Sequence, residues 1–322
     1  MSINLDALKT VPRLLIEAEL APVQGSRFQP TGFPDLGAAT YTLHDGTEMC
    51  LVESAQSMAN RLEAVCWDGA NSELIDPLKG IPYIKVVEDG KTVTTSILDA
   101  HRMNSPYILE GEDKSFLETI KKEINTASDR PVDMRALAKF VYKYDTNALL
   151  HGIFIAKSDL AGGRFKIARS LSSFIEARGI NVVASGGVKN DPVNPSGDTA
   201  KGYGNVPFHR DEYTAQQITA YFNLDLAQIR GFGLGGNAET LLITLALFKI
   251  QKFLQEGLRL RTACDLKAVS IQVKQPANFV LSPLEDLGME LPKLISSSAG
   301  FAEPKVTTVK FSPSKPKKEV IA

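Results

Sequence analysis

The sequence predicts an α+β fold built around an antiparallel sheet. Two segments, 13–21 and 218–228, alternate apolar and polar residues as strands with one covered face do. The predicted order is strand, loop, helix, insertion, helix, strand, helix, protrusion, strand, helix and strand, and few of these segments have the regular repeat of parallel βαβ units. A ferredoxin-like or RRM-like sheet with large insertions is the simplest architecture that fits this order.

The first elements are marked by strong local signals. The strand at 13–21 ends at Pro22, and the loop at 24–40 that follows is rich in glycine and proline. Ser54 can cap a helix that runs to about residue 65, with an apolar stripe formed by Met58 and Leu62. Segment 67–130 is less regular, and its thin apolar content indicates an insertion rather than an independent domain.

Later elements follow from apolar spacing. The continuous apolar run at 149–156 predicts a central strand, and the apolar spacing at 167–175 predicts a helix with basic residues in its first turns. Segment 185–214 is rich in turn residues. Because a structureless loop of this length is unusual inside a compact domain, the segment is predicted to form a protrusion or hairpin. An apolar helix is expected over about 238–255 and a last strand over 269–273, and the chain then turns polar.

Composition limits the possible functions. The chain has 322 residues, 43% of them hydrophobic, which suffices for a substantial core. Its formal net charge is -1, so a nucleic-acid surface requires local segregation of charge. Segments 139–178 and 249–274 each carry a net charge of +4, while 73–123 holds ten acidic and seven basic residues. Ordinary solvated faces would show the same pattern.

Cysteine usage and hydropathy predict a reduced, cytoplasmic protein with no membrane association. Cys50, Cys66 and Cys264 are scattered and form no C-x-x-C motif, so neither a disulfide framework nor a zinc site is supported. The N-terminus lacks the apolar region of a signal peptide, and no apolar run reaches the roughly 20 residues that a membrane span needs.

The segment 231–236 matches G-x-G-x-x-G between a strand and a helix, as in a dinucleotide site. The preceding strand is amphipathic, no second βαβ unit surrounds the match, and the acidic residue near the expected spacing, Glu256, ends a helix. A tight strand-to-helix turn that can touch a phosphate backbone fits better. The absence of G-K-[ST] excludes a P-loop.

The four histidines, His44, His101, His151 and His209, lack the spacing of metal ligands, so no metal or other cofactor is expected. His151 lies in an apolar run and is interpreted as a core histidine. His209 precedes Asp211 and Glu212, which suggests acid–base chemistry, although neighbours on an extended chain point in opposite directions.

The start of the helix at residue 54 combines small polar residues with one arginine, Arg61. It is either a capped surface helix or a phosphate-binding helix start.

Two stretches resemble a known family. RFQPTGFPDLGAA at 27–39 and LVESAQSMANRLE at 51–63 resemble the backbone subunit of type I-G (formerly I-U) CRISPR Cascade, the Cas-seven-like, Csb-one/GSU-type RAMP family. The Ser-x-Gln-Ser helix is also similar to that of backbone subunits in other type I systems. The likeness continues through the strand, Gly-Gly turn and apolar helix at 218–255 and the Arg-Leu-Arg-Thr segment at 259–262.

The resemblance implies one RAMP-type chain with an RRM-like palm, a fingers insertion and a thumb. The palm would comprise about 11–66, 130–185 and 214–285, the fingers 67–129 and the thumb 186–213, followed by a flexible basic tail at 296–322. It also implies a non-catalytic subunit that binds CRISPR RNA, polymerises with further copies of itself along the guide and presents the guide to target DNA. Its other partners would be the Cascade large subunit and the Cas-five/Cas-six-type subunit.

The resemblance and the residue chemistry together nominate three groups of residues. The RNA-binding candidates are Arg27, Gln29, Thr31, Ser54, Gln56, Ser57, Asn60, Arg61, Lys166, Arg169, Arg259 and Arg261. The thumb candidates are Lys201, Tyr203, Asn205, Val206, Phe208, His209 and Arg210. The glycine turn comprises Gly233, Gly235 and Gly236. One departure stands out, since the basic residues of the Ser-Gln-Ser helix elsewhere are reduced here to Arg61.

Two enzymatic alternatives remain open. Related RAMP subunits of type III complexes cleave RNA with a loop aspartate, a role that Asp191, Asp198 or Asp211 would fill here. A small-molecule enzyme would instead use the glycine turn at 231–236.

Overall fold

The computed structural model describes residues 3–33, 36–124 and 127–312. The strands are β1 (Arg13–Pro22), β2 (Gly32–Phe33), β3 (Gly37–Ala38), β4 (Thr40–Thr42), β5 (Glu48–Glu53), β6 (Trp67–Asp68), β7 (Glu73–Leu74), β8 (Tyr83–Glu88), β9 (Lys91–Thr95), β10 (Ile153–Ile155), β11 (Phe165–Ile167), β12 (Leu171–Arg178), β13 (Asn181–Lys189), β14 (Val206–Thr214), β15 (Gln217–Asp225), β16 (Arg259–Arg261), β17 (Cys264–Gln275) and β18 (Val306–Lys310). The α-helices are α1 (Ala55–Ala64), α2 (Pro106–Leu109), α3 (Ser115–Glu123), α4 (Met134–Tyr144), α5 (Ala148–His151), α6 (Leu226–Gly231), α7 (Gly236–Glu256) and α8 (Leu284–Ser297).

The main sheet has seven strands in the order β16-β17-β1-β15-β12-β5-β4, and neighbouring strands are antiparallel. Along the chain, β1, α1, β12, β15, α7 and β17 follow the order strand, helix, strand, strand, helix, strand. The four strands among them lie in the spatial order fourth, first, third, second. The prediction of an α+β fold on an antiparallel sheet is therefore confirmed.

The core lies between one face of this sheet and α7. Along β1, Leu14, Ile16, Ala18 and Leu20 are buried, as the alternation predicted. Helix α7 packs against α1, α8 and β17, so it is apolar on nearly every side.

Two elements differ from the sequence prediction. The run at 149–156 does not form a central strand, because Gly152 turns the chain between α5 and β10, and β10 pairs with β11 outside the main sheet. Gly152 has φ 79°, and a Cβ there would lie 2.9 Å from the Ile167 carbonyl oxygen. A short apolar run does not distinguish a buried helical turn from a strand.

No helix forms at 167–175. This segment contains the last residue of β11, a short connection and the beginning of β12. Strand β12 lies between β15 and β5, with Leu171, Ser173 and Ile175 buried on one face. On the other face Phe174 stacks on Tyr221 at 4.9 Å between ring centroids. Pairing with both neighbours outweighs the local helical spacing of the apolar residues.

The C-terminal segment also differs from its prediction. A flexible tail was expected from residue 296, but α8 extends to Ser297 and β18 pairs in parallel with β8. Phe311 packs edge-on against Tyr107 of the insertion, at 5.2 Å between ring centroids. The chain therefore returns to cover the insertion through residue 312, and the rest of the predicted tail lies outside the described residues.

The protrusion is a hairpin in which β13 and β14 pair from Asn181↔Thr214 to Lys189↔Val206. At its tip, Asp191 accepts hydrogen bonds from the backbone N–H groups of Val193, Asn194 and Gly204 at 2.9 to 3.1 Å. These bonds stabilise the turn at the tip, where the sequence is rich in turn-forming residues.

Among the described residues, no helix combines the length and apolar character of a membrane span.

A buried polar network joins the insertion to α1 and the sheet. Arg102 donates to both carboxylate oxygens of Glu63, at 2.8 and 2.7 Å, and both side chains are buried. Asn147 also donates to Glu63, at 2.7 Å. Lys249 of α7 bonds to Asn147 and lies 2.9 Å from His151 Nε2. This network was not predicted from the sequence, in which Lys249 only marks the end of the apolar run at 241–248.

We expect Glu63→Gln to lower the free energy of unfolding by about 3 kcal/mol or more, because it removes the buried carboxylate that accepts both Arg102 hydrogen bonds. Urea denaturation measures the change. The matched control is Glu256→Gln, which removes the exposed partner of Lys252 on α7 and should cost less than about 1 kcal/mol. Equal losses from the two substitutions would contradict the structural role given to Glu63.

Asp145, after α4, is fully buried, and this burial together with the nearby Glu63 charge raises the pKa of its carboxyl to about 7. Because the folded-state pKa exceeds the unfolded value, this group disfavours the folded state increasingly as pH rises from about 4 to 7. Asp145→Asn removes that penalty. The stability of the variant relative to the wild type should therefore rise by roughly 3 kcal/mol when the pH is raised from 5 to 8. Thermal or urea unfolding at the two pH values tests this, and a pH-independent difference would contradict it.

Candidate nucleic-acid interface

Helix α1 presents two different faces. The Ser54 hydroxyl caps it by accepting from the Ser57 N–H at 3.2 Å, as the sequence predicted. Gln56 and Asn60 lie on the exposed face, where the Gln56 amide donates to Asn60 at 3.1 Å. The opposite face contacts the core and carries Glu63. The exposed face is therefore polar and uncharged.

Two clefts flank the start of α1. The insertion cleft, of about 510 Å³, is lined by Gln56, Ala100, His101, Arg102, Asn104, His151, Gly152, Ile153, Phe154, Lys166, Ile167, Ala168, Arg169 and Ser172. The hairpin cleft, of about 650 Å³, is lined by Gln29, Pro30, Thr31, Gly32, Gly37, Ala38, His209, Arg210, Asp211, Tyr213, Arg261 and Thr262.

The insertion cleft is basic. Its lining includes Arg102, Lys166 and Arg169 and no acidic side chain, and of these Arg102 is paired with the buried Glu63. Arg169 donates to the Gln56 side-chain oxygen, and burial lowers the pKa of Arg169. Lys166 is exposed and has no ion-pair partner among the described residues. The cleft therefore offers positive charge beside the polar face of α1.

The loop before β2 builds the hairpin cleft by joining three elements. Phe28 and Tyr213 exchange backbone hydrogen bonds of 2.9 and 2.8 Å, which attach the loop to β14. The Gln29 N–H donates to the Ala263 carbonyl at 2.8 Å, and the Thr31 N–H donates to the Val52 carbonyl at 3.2 Å. The candidates Gln29 and Thr31 are thus placed by backbone bonds at the wall of this cleft.

Glu53, buried at the end of β5, pairs with two of the predicted RNA-binding arginines. Arg61 donates to Glu53 at 2.9 Å and to the Leu260 carbonyl at 2.7 Å. Arg261 also donates to Glu53, and to the Gln29 carbonyl at 3.0 Å. Desolvation lowers the pKa of Arg61. Both guanidinium groups are therefore engaged within the chain, where they connect α1, β5 and β16.

A second buried carboxylate, Glu212 of β14, pairs with Arg27 at 2.9 Å and with Arg210. Beside it in the hairpin cleft, His209 Nε2 lies 3.5 Å from Asp211 Oδ1, and both side chains are largely exposed. The arginines again stabilise the base of the hairpin.

The remaining candidates lie apart from the two clefts. Arg259 is exposed on the edge strand β16. Lys201, Tyr203 and Asn205 lie between β13 and β14 at the end of the hairpin, while Val206 and Phe208 belong to β14. In the glycine turn, Gly233 and Gly235 adopt φ of 65° and 92°, and Gly236 begins α7. The structure thus unites the β5–α1 segment with the clefts but keeps the glycine turn and the hairpin tip separate from them.

Sequence reasoning missed Phe154, Glu53 and Glu212. Phe154 was hidden in a run interpreted as a buried strand, and glutamates carry no pattern that reveals burial. In the described part of the chain, no group of three or more histidine, cysteine or acidic side chains is arranged to hold a metal ion.

Comparison of the sequence and the fold with known proteins assigns the chain to a protein family. The sequence profile of the CRISPR-associated protein GSU0053 family matches residues 14–182. Among solved structures, the chain is similar to a chain of "CRISPR RNA-guided surveillance complex, pre-nicking", with 13% identity, coverage of 89% of this chain and 88% of that chain, and a TM-score of 0.43. It is also similar to Thermofilum pendens Csc2, with 8% identity, coverage of 90% and 79%, and a TM-score of 0.33. No curated protein matches. The profile match spans more than half of the sequence, and the chain belongs to the CRISPR-associated protein GSU0053 family.

Proposed function

We propose that the chain is a non-catalytic subunit that binds CRISPR RNA and forms the backbone of a type I-G Cascade complex. The observation that carries the proposal is the acid-free, basic insertion cleft beside the exposed amides of α1. Single-stranded nucleic acid is commonly held by a positive groove that follows its backbone.

The architecture supports this proposal. The spatial order of the four central strands is that of an RRM-like or ferredoxin-like palm. The insertion at 67–129 then corresponds to the fingers and the hairpin at 186–213 to the thumb. Strand β18 joins the fingers sheet, so the C-terminal segment reinforces the fingers.

We connect the two clefts into one path across the start of α1. Arg169 of the insertion cleft bonds to Gln56, and Arg261 of the hairpin cleft bonds to Glu53, three residues earlier in the chain. A strand of RNA on this path would contact Lys166 and Arg169, then the amides of α1, then the hairpin cleft. Such contacts grip the backbone and leave sequence reading to base pairing between guide and target DNA.

The hairpin supports the proposal of assembly. Val193, Tyr203 and Phe208 are 91%, 54% and 51% exposed on an arm that extends from the sheet. Exposed apolar residues on an arm suit contact with a second molecule. We assign that contact to the next copy of the chain along the guide. The Cascade large subunit and the Cas-five/Cas-six-type subunit would complete the complex.

A RAMP ribonuclease is the second candidate, and the His209–Asp211 pair in the hairpin cleft is the observation that favours it. The other two aspartates considered have structural roles. Asp191 accepts three backbone hydrogen bonds at the hairpin tip, and Asp198 accepts from the Ala200 N–H at 3.0 Å.

We expect Lys166→Ala to weaken binding of single-stranded RNA to the purified chain without changing its melting temperature. The substitution should also reduce the slope of log Kobs against log salt by about 0.7, the value for one phosphate contact with a single strand. Fluorescence anisotropy over a salt series measures both quantities. The matched control is Lys139→Ala, which removes an exposed charge from α4 that lines neither cleft.

Equal effects from Lys166→Ala and Lys139→Ala would show nonspecific attraction and contradict the proposed path. The same RNA, analysed on a denaturing gel after incubation with Mg²⁺, should remain intact. Regular fragments that disappear in Asp211→Asn would favour the ribonuclease instead.

A further inference from the structure

An aromatic side chain stands exposed in the insertion cleft. Phe154 is 54% exposed on β10, while its neighbours Ile153 and Ile155 are 5% and 0% exposed. It lies directly opposite Lys166 in the β10–β11 pair. Directly opposed residues in a two-stranded pair project from the same face, so the ring and the ammonium group lie side by side.

Two buried nitrogen donors belong to residues that line the same cleft. Arg169 Nε and His151 Nδ1 are buried and have no hydrogen-bond partner among the described residues. Burial and the Lys249 charge lower the pKa of His151 well below its usual value, so the ring is neutral. A Lys249 ammonium that donates to Nε2 leaves the ring proton on Nδ1. Both residues line the same cleft as Phe154, and unsatisfied buried donors call for an acceptor.

The features of this cleft match one class of ligand. An exposed ring provides a stacking surface for a base, and adjacent cations with no carboxylate among the lining residues suit a phosphate. Gln56 and Asn104 also line the cleft. An apolar protein segment would not explain the excess of positive charge.

We infer that the insertion cleft holds one nucleotide of a single-stranded RNA, with its base stacked on Phe154 and its phosphate bound by Lys166 and Arg169. This inference rests on the proposed RNA-binding function and adds to it a specific stacking residue. The site would hold each copy of the chain in register with one position of the guide strand. Because stacking is tolerant of base identity, the site would not select sequence.

Phe154→Ala tests the site in the full-length chain with a fluorescein-labelled, unstructured single-stranded RNA. We expect the affinity to fall about tenfold or more, the usual effect of losing one base stack. The salt dependence should be unchanged, because no charge is removed. Phe154→Trp should retain wild-type affinity. The control is Val93→Ala, which truncates a side chain that is 41% exposed on β9 and lines neither cleft.

Phe154→Trp also gives a direct signal. The chain contains a single tryptophan, Trp67, so the emission added by the new indole can be separated by comparison with the wild type. Stacking of a base on the new indole should quench that added emission when RNA binds.

Two different results would overturn the stacking site alone or the proposed function as a whole. A wild-type chain that binds RNA, together with undiminished affinity in Phe154→Ala and an unquenched indole in Phe154→Trp, would overturn the stacking site alone. A wild-type chain that binds no RNA would overturn the proposed function and this site with it.

Discussion

Glu63 carries a negative charge into the core beneath α1, and the arrangement of the surrounding elements depends on its neutralisation. Removing an ion from water costs several kcal/mol unless partners compensate. The partners come from distant segments, because Arg102 belongs to the insertion and Asn147 to the turn before α5, with Lys249 of α7 bound behind it. The insertion, α1 and the core helices therefore meet at one fixed point.

Helix α1 consequently links folding to the candidate function. Its inner face carries Glu63, and its outer face carries Gln56 and Asn60. The residue before its cap, Glu53, holds Arg61 and Arg261. The two most conspicuous arginines near the helix thus stabilise the frame, and the surface they support is polar rather than strongly ionic. The positive charge left for a ligand is concentrated at Lys166 and Arg169.

The sequence predicted those parts of the fold whose signal is local. Alternation in β1 and β15, the Ser54 cap and the apolar character of α7 each identified the correct element. The prediction was wrong at 149–156 and at 167–175, where strand pairing and a glycine turn decide the conformation. Arg61 resembles a ligand in sequence, but its buried partner Glu53 belongs to the preceding strand. Phe154 was missed because an apolar run does not reveal which of its residues faces outward.

The central claim is that several copies of this chain assemble on one guide RNA. Co-expression with a repeat–spacer RNA and the operon partners, followed by native mass spectrometry of the intact assembly, tests it most directly. The account predicts a complex with several copies of the chain and a single RNA, and nuclease treatment should dissociate it. A protein-only monomer purified under the same conditions would contradict the account.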